Sequence, residues 1–338
     1  MKTRLIRWII WVLILSGLLL GISLFSLLIG ASDIPFRRII SAIFGGRGTT
    51  EYSILFDIRL PRIILAFAIG GALSLAGVIL QGMFRNPLVE PYTLGISGGA
   101  ALGVCLNIVF HLHRIFGILT LPISGFLGAI LVIILVYSLS RRKGILKIQG
   151  LLLTGVMISF ISSSLIMLIM AVSRTEDLHG IVFWVMGSLE EPSWVLIKLA
   201  LAVSVFGLAI SYLFALPLNA LILGEEEAMH LGVNTEKTKR LLFIIASLVT
   251  GCSVSIAGII GFVGLVVPHF MRMLVGEDYR ILLISSFLCG ASFLILCDTL
   301  ARTIIAPLEL PVGVITGILG GSLFIYALAR RQIILGEK

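Results

Sequence analysis

A pair of closely spaced histidines is the first feature of this sequence that could take part in chemistry. His111 and His113 form a His-x-His pair beside Arg114. Imidazole nitrogens bind zinc and other transition metals, but a stable site takes about four ligands. No thiol or carboxylate lies close to this pair in the sequence. We therefore predict loop residues with no metal ion, and no cofactor.

Other groups that commonly act in catalysis do not form a recognisable site. The sequence has no phosphate-binding G-x-x-x-x-G-K-[ST] loop and no plausible Ser/His/Asp or metal-hydrolase arrangement. The four cysteines lie in apolar stretches without Cys-x-x-Cys spacing, which predicts small packing residues. They are Cys105, Cys252, Cys289 and Cys297. The chain is therefore predicted not to be an enzyme.

Carboxylates within long apolar stretches act as ion sites when those stretches cross a membrane. Asp298 and Glu309 are the candidates here, and both fall near the ends of apolar segments. Asp298 is four residues from Arg302, so the two side chains share one face of a helix and can pair. An ion-coupled secondary transporter therefore remains an open alternative at this point.

The composition decides the class of protein. Hydrophobic residues make up 59% of the 338 residues, charged residues 12%, and the mean hydropathy is +1.15. Soluble domains carry roughly 25% charged residues, so much of this chain must be in contact with lipid. The net charge of +8 does not indicate nucleic acid, because the basic residues are scattered between apolar runs. We predict one all-α integral membrane domain spanning residues 1–338.

Nine apolar segments have roughly the length that crosses a bilayer, and their continuous hydrophobicity favours helices over barrel strands. Leu241–Val267 runs 27 residues without a charge and contains Gly258, Gly261 and Gly264, which predicts two helices there. The segments are Trp8–Gly30, Pro61–Gln81, Tyr92–Phe110, Phe116–Leu139, Ile148–Val172, Trp194–Leu216, Leu241–Val267, Ile281–Leu296 and Val312–Leu328. With the split, the prediction is ten transmembrane helices.

The basic residues predict the topology. Lys2, Arg4 and Arg7 precede an apolar run that is too long for a signal peptide, so it is predicted to remain as the first membrane helix. Basic residues also follow the last segment and cluster at 141–143. Because cytoplasmic loops are enriched in Lys and Arg, both termini are predicted to be cytoplasmic. A re-entrant half-helix between Arg174 and Pro192 is the alternative way to reach an even count.

Three motifs narrow the interpretation. The first is RNPLVEPYTLGISGGA at 85–100, where two prolines bracket a polar turn. The second is GIIGFVGLVVPHFMR at 258–272, followed by GEDYR at 276–280. The third is DTLAR at 298–302, followed by PLELPVG at 307–313. Together with Arg59, these segments occur in the order seen in the FecCD family, the permeases of bacterial ABC importers for iron-siderophores, haem and cobalamin, and the chain resembles that family over almost its whole length.

The resemblance implies both a fold and a set of partners. The fold would be a ten-helix bundle like that of the cobalamin-importer permease, paired as a homodimer in the lipid of the bacterial inner membrane. Two cytoplasmic ABC ATPase subunits would supply the energy and an extracytoplasmic substrate-binding protein the cargo, with no role for nucleic acid. The expected cargo is an iron(III) complex, either a siderophore or haem, and the alternatives are cobalamin or molybdate.

The resemblance also implies docking positions at the outer ends of helices. Arginines at these positions would contact carboxylates of the binding protein; they are Arg59, Arg62 and Arg302. The alternatives are a location at the membrane interface or a pair within the chain. We expect charge reversal at Arg59 to weaken capture of the loaded binding protein without harming folding.

At the inner end of the pathway, the resemblance implies a cytoplasmic gate. Its four residues would be Asn86, Leu88, Ile148 and Gln149. A run of serines on the fifth helix either faces the pathway or bonds to backbone carbonyls; these are Ser159, Ser162, Ser163 and Ser164.

An acidic segment at residues 224–233 is predicted to form a short cytoplasmic helix that ends at Gly232, because early acidic residues interact favourably with a helix dipole. By resemblance, this segment would insert into a cleft of the ATPase; the alternative is a solvated acidic loop. A bulky charged residue at Ala228 is expected to abolish coupling and leave folding intact. The assigned coupling residues are Glu225, Glu226, Ala228, His230, Leu231 and Gly232.

Overall fold

The computed structural model describes residues 2–30, 48–142, 145–191 and 193–336. Two basic residues used in the topology prediction, Lys143 and Lys338, lie outside these ranges. Ten apolar helices make up most of the described chain. They are α1 (Lys2–Leu28), α2 (Thr50–Phe84), α3 (Ile96–Val109), α4 (Thr120–Ser140), α5 (Ile148–Val172), α6 (Trp194–Leu213), α7 (Thr235–Ala257), α8 (Val263–Val275), α9 (Tyr279–Thr303) and α10 (Val312–Gly336).

Seven of these helices are long and apolar enough to cross a membrane, whereas α3, α8 and the apolar part of α10 are shorter. The predicted all-helical bundle of ten membrane helices is thereby confirmed. Short elements connect them: the helices Leu112–Phe116, Thr175–Met186, Ala215–Leu223 and Glu225–His230, the 3-10 turn Pro91–Leu94, and the antiparallel strands β1 (Arg141–Arg142) and β2 (Ile145–Leu146). Within α2, Ile54–Arg59 is π-helical.

Helix α2 forms the centre of the bundle. It is almost completely buried and packs against α6, α7, α8 and α9. Glycines permit the closest approaches, because a helix without a Cβ can lie directly against another backbone. Gly71 lies under the ring of Phe287 on α9, where an added Cβ would be 2.6 Å from the ring. The many glycines of the sequence therefore serve close helix packing.

The predicted division of the 241–267 segment is confirmed. Helix α7 ends at Ala257, Gly258 has φ = +71°, Phe262 has φ = +68°, and α8 begins at Val263. At 1.5 Å per residue, the 13 residues of α8 span about 20 Å, less than the roughly 30 Å thickness of the hydrocarbon core. Helix α8 is therefore too short to cross the bilayer by itself.

The first turns of α1 are attached to the loop between α8 and α9. Arg4 pairs with Asp278 at 3.1 Å, and Arg280 pairs with the same carboxylate at 2.7 Å. The ring of Trp8 lies 5.2 Å from the Arg4 guanidinium and 4.9 Å from that of Arg280. Asn219 also donates to Asp278 at 3.1 Å. This cluster joins three separate parts of the chain at one end of the bundle.

Asp278 should make the stability of the protein depend on pH. The hydrogen bond from Arg280 lowers the pKa of Asp278 to about 2, below the value of about 3.9 for an unfolded aspartate. A depressed pKa gives stability that is present above about pH 4 and is lost as the pH falls towards 2. We expect Asp278→Asn to lower the melting temperature in detergent at pH 6 but to have little effect near pH 2. An equal loss at both pH values would contradict this role.

Candidate functional site

The acidic helix, Glu225–His230, has one buried and one exposed face. Ala228 is 0% exposed, so the expectation that a bulky charged residue there would leave folding intact is wrong. Such a side chain has no space, and its charge would be desolvated. In contrast, Met229 and Leu231 are 54% and 65% exposed. The other exposed residues of this segment are Glu226, Glu227, His230 and Gly232.

The ammonium group of Lys239, near the start of α7, binds the acidic helix to the rest of the bundle. Lys239 is buried, and its Nζ lies 2.8 Å from Glu225 Oε2 and 2.6 Å from Glu236 Oε1. It also donates to the Leu146 carbonyl at 3.4 Å. The second oxygen of Glu236 accepts the Leu146 N–H at 3.0 Å. One lysine thus contacts the acidic helix, α7 and the segment that leads into α5.

The four predicted gate residues lie on the surface or close to it. Leu88 is 56% exposed, Gln149 is exposed, and Asn86 and Ile148 are half-buried. The Asn86 side chain accepts the Leu88 N–H at 2.9 Å, which fixes the polar turn. The two segments that carry these residues meet further along, where a Cβ on Gly155 of α5 would lie 2.6 Å from the Leu94 Cα.

The turn after α2 also reaches the break between α7 and α8. Glu90 Oε1 accepts the N–H of Phe262 at 2.7 Å. The Tyr92 hydroxyl donates to the Ile260 carbonyl at 2.7 Å and accepts the N–H of Ile260 at 3.0 Å. These bonds satisfy backbone groups that a helix break leaves without partners, which is a requirement inside a membrane. The polar turn between the two prolines therefore also fixes the backbone at the break between α7 and α8.

Sequence reasoning missed the partners of Glu90, Tyr92 and Lys239. Glu90 accepts a backbone N–H at the break between α7 and α8, a role that the sequence did not indicate. The signal that could have found Glu90 and Tyr92 is their position between the two prolines of the 85–100 motif, because that turn is built to hold a defined shape. For Lys239 the local signal is Glu236, three residues earlier on the same helix, whereas its partners Glu225 and Leu146 are distant in sequence.

The serines of α5 divide between the two predicted roles. Ser159 Oγ donates to the Gly155 carbonyl at 3.0 Å, which is the backbone-bonding alternative. Ser162 is 3% exposed and packs inside the bundle. Ser163 and Ser164 are exposed. A pathway role is therefore open for the last two.

At the opposite end of the bundle, Arg62 is 6% exposed and makes a two-pronged pair with Glu309, with distances of 3.0 and 2.6 Å. Glu190 lies 3.6 Å from the same guanidinium and is 77% exposed. Arg302 pairs with Asp298 at 2.9 Å, which matches the alternative of a pair within the chain. All five residues line one cavity of about 350 Å³. This end of the bundle therefore carries a cavity lined by charges of both signs.

Arg59 is buried and makes hydrogen bonds within the described chain. It is 2% exposed, and its guanidinium donates to the carbonyls of Leu27 and Leu28 at 2.8 and 2.9 Å. Those carbonyls belong to the last turn of α1, where cations are favoured by unsatisfied C=O groups. Charge reversal at Arg59 would place a carboxylate against these oxygens, so the expectation that it leaves folding unharmed is wrong.

The histidine pair has a carboxylate neighbour that the sequence did not reveal. His111 Nδ1 lies 3.6 Å from Asp177 Oδ1, on the 175–186 helix. The rings of His111 and His113 are 6.3 Å apart. Over the described residues, no group of three or more His, Cys, Asp or Glu side chains is arranged to hold a metal ion. The contact links a loop to a short helix at one end of the bundle.

Comparison with known proteins places these features in context. A family model described as the FecCD transport family matches residues 18–330. The hemin transport system permease protein of Yersinia pestis is 38% identical over 317 residues, covering 93% of this chain and 94% of that protein. The cobalamin import system permease protein of Halobacterium salinarum is 39% identical, covering 84% of this chain and 75% of that protein.

A solved structure shares the fold. A metal-chelate type ABC transporter in an inward-facing conformation superposes with a TM-score of 0.82 at 32% identity. The match covers 95% of this chain and 99% of that chain. The two chains therefore share the fold over almost their whole length.

Proposed function

The chain belongs to the FecCD transport family, and on this premise we propose that it is the permease subunit of a binding-protein-dependent ABC importer. It would lie in the bacterial inner membrane with both termini in the cytoplasm and form the pathway for the substrate. Two separate ATPase subunits would hydrolyse ATP, and an extracytoplasmic binding protein would deliver the cargo. The permease itself would catalyse no reaction.

The exposed face of the acidic helix carries this proposal. Met229 and Leu231 present apolar surface next to acidic side chains, on a short helix that is joined to α7 by Lys239. Exposed apolar residues surrounded by polar ones are typical of a protein-binding surface. A docking site for an ATPase subunit on the cytoplasmic side fits this surface, and the whole segment would be the coupling helix.

The ion-coupled alternative is less well supported. Asp298 is paired with Arg302, and Glu309 with Arg62. An ion site needs a carboxylate that is free to bind and release its ion, whereas these two are neutralised by guanidinium groups. Energy from a separate ATPase needs no such carboxylate, and this favours the importer.

For the binding protein we propose docking over the cavity that contains Arg62. Its guanidinium lines the cavity, and a carboxylate from a partner could exchange with Glu190 or Glu309 there. Arg59 and Arg302 are buried in contacts within the chain, so a docking role for them would act through the shape of this end of the bundle. Charge complementarity of this kind sets orientation and association rate.

Arg62→Gln is expected to weaken capture of the binding protein about tenfold, because it removes a desolvated charge from the docking surface. Glu309 is 41% exposed and can be solvated when its partner is lost. The measurement is the Kd of the binding protein for the permease–ATPase complex in nanodiscs. Arg114→Gln, at an exposed arginine of the short helix Leu112–Phe116 that does not line the cavity, is the matched control. Equal Kd values for the two variants would exclude Arg62 from docking.

We further propose that two copies of the chain form the pathway between them, with α5 at the interface. Helix α5 buries a narrow stripe that includes Leu151 and Gly155, and its remaining surface is exposed. Gln149 is exposed in its first turn, and Leu88 is exposed in the turn after α2. With a second copy, the four gate residues of each chain would face their counterparts at the inner end.

The substrate we propose is an iron(III) complex, a siderophore or haem, with cobalamin or molybdate as the second candidates. The relatives support both kinds of cargo, because one is a hemin permease and another a cobalamin permease. The deciding experiment reconstitutes the permease with its ATPase subunits and binding protein in proteoliposomes. Uptake of ferric siderophore, haem, cobalamin and molybdate is measured in parallel with and without ATP. Uptake that follows an ion gradient in the absence of ATP would overturn the importer.

A further inference from the structure

Lys239 is the feature of the described chain that the proposed function leaves unexplained. Its side chain is buried, and its ammonium group is paired with two carboxylates. Lys239 has a side chain that is 2% exposed, whereas Glu225 and Glu236 are 40% and 42% exposed. A buried ammonium is costly unless each of its three N–H donors finds an acceptor. Here the three acceptors come from three different segments of the chain. The carboxylate of Glu236 alone would neutralise the charge of the ammonium group. Neutralisation therefore does not explain why the acceptors come from three segments.

The three acceptors lie on elements with different roles. Glu225 is the first residue of the acidic helix, and Glu236 lies in the first turn of α7. The Leu146 carbonyl belongs to β2, two residues before α5 begins at Ile148. Glu236 also accepts the Leu146 N–H, so both backbone groups of this residue bind to the same cluster. The peptide groups on either side of Leu146 are therefore connected to the acidic helix through Lys239 and Glu236.

We propose that Lys239 is a positioning residue that transmits displacement of the acidic helix to the inner end of α5. This inference rests on the proposed function, in which the ATPase subunits move the acidic helix and the first turn of α5 lines the inner gate. The Lys239 ammonium group connects the two ends of this path. A displacement of Glu225 would displace the ammonium group, and the ammonium group and Glu236 would then displace Leu146. The start of α5, with Ile148 and Gln149, follows. Charge-assisted hydrogen bonds are short and strong enough to act as such a link.

If the contacts of Lys239 served folding alone, the expected result would be different. They would stabilise the protein in every state and would leave the response to ATP unaltered in any variant that folds. A transmitting residue instead contributes coupling between two sites, which is measured separately from stability. The test therefore needs a signal from α5 that depends on nucleotide at the ATPase.

The experiment places an environment-sensitive dye on Leu153→Cys, an exposed position in the second turn of α5. The native cysteines are buried or half-buried, so the introduced thiol is the accessible one among the described residues. The complex of the permease with its ATPase subunits is reconstituted in nanodiscs, and the dye signal is recorded before and after addition of MgATP. Stimulation of ATP hydrolysis by the binding protein is measured on the same samples.

Lys239→Met is expected to reduce both the MgATP-dependent dye signal and the stimulation by the binding protein about tenfold. Methionine keeps an unbranched side chain, one heavy atom shorter than that of lysine, and removes its three donors. The matched control is Lys237→Met, which removes the same charge from an exposed side chain two residues away. Responses of Lys239→Met that equal those of Lys237→Met would overturn the proposal.

A second variant keeps the test decisive if Lys239→Met does not fold. Glu225→Gln weakens the link to the acidic helix but leaves the bonds among Lys239, Glu236 and Leu146 in place. It is expected to reduce the dye signal while the melting temperature stays close to wild type. Failure of the proposed function looks different, because MgATP would then leave the dye signal unchanged in the wild-type permease as well.

Discussion

Leu231→Asp is expected to reduce ATP-driven uptake by about a hundredfold, because an apolar anchor at the centre of an interface commonly carries this much of the binding energy. Leu231 is 65% exposed at the end of the acidic helix, so the substitution places a charge in solvent and not in the bundle. Against an ATPase cleft the same charge would be desolvated without a partner. The measurement is uptake into proteoliposomes, together with the amount of ATPase that copurifies with the permease.

Two further variants define the result. Leu231→Met keeps an apolar side chain and is expected to retain uptake within about tenfold of wild type, since such swaps cost about 1.5 kcal/mol or less. Ala228→Asp should instead lower the melting temperature, because Ala228 is completely buried. Normal uptake by Leu231→Asp, with unchanged copurification of the ATPase, would show that this helix is not the ATPase contact.

The sequence was sufficient to predict the helices, because their signal is local. A membrane helix is a long uninterrupted apolar run, and the glycines at 258, 261 and 264 revealed where one run had to divide. The structure ends α7 at Ala257 and begins α8 at Val263, inside the predicted segment. Hydrophobicity and backbone flexibility act over a few residues, so a single sequence contains them in full.

Side-chain partners were predictable where they lie close in sequence. Asp298 and Arg302 are four residues apart on one helix, and the structure pairs them at 2.9 Å. Arg62 and Glu309 are separated by 247 residues. Their pair depends on how α2 and the segment before α10 are placed, and no local pattern encodes that placement. The sequence therefore assigned Arg62 to an outer helix end with a pair within the chain as an alternative, but it could not identify Glu309 as the partner.

The orientation of the acidic helix was missed for a physical reason. The helix has six residues, fewer than two turns, so hydrophobic periodicity cannot identify its buried face. The expectation that a bulky charged residue at Ala228 leaves folding intact requires an outward-facing side chain, and no residue pattern in so short a helix tests that requirement. Burial of Ala228 comes from packing against the bundle, which is long-range information. The same limit applies to Arg59, whose partners are the carbonyls of Leu27 and Leu28.

Gly77→Leu is expected to destabilise the fold by about 3 kcal/mol or more, because overpacking in a dense core that cannot relax is at the upper end of its usual cost. A Cβ at Gly77 would overlap the carbonyl oxygen of Gly264 on α8 and lie 2.7 Å from its carbonyl carbon. Gly264 cannot retreat, since a Cβ of its own would lie 2.7 Å from Pro91 Cδ. The measurement is the folded fraction after detergent extraction and the melting temperature.

The control for this prediction is Gly17→Leu on α1, where nothing lies within 4 Å of an added Cβ. Helix α1 is mostly exposed to its surroundings, and leucine is as favourable in lipid as any residue. If Gly77→Leu were as stable as Gly17→Leu, α2 and α8 would not be in backbone contact.

The break held by Glu90 and Tyr92 depends on that contact, because α8 is positioned by α2 on one side and by the 85–94 turn on the other. Loss of the contact should therefore abolish uptake even in the fraction that remains folded.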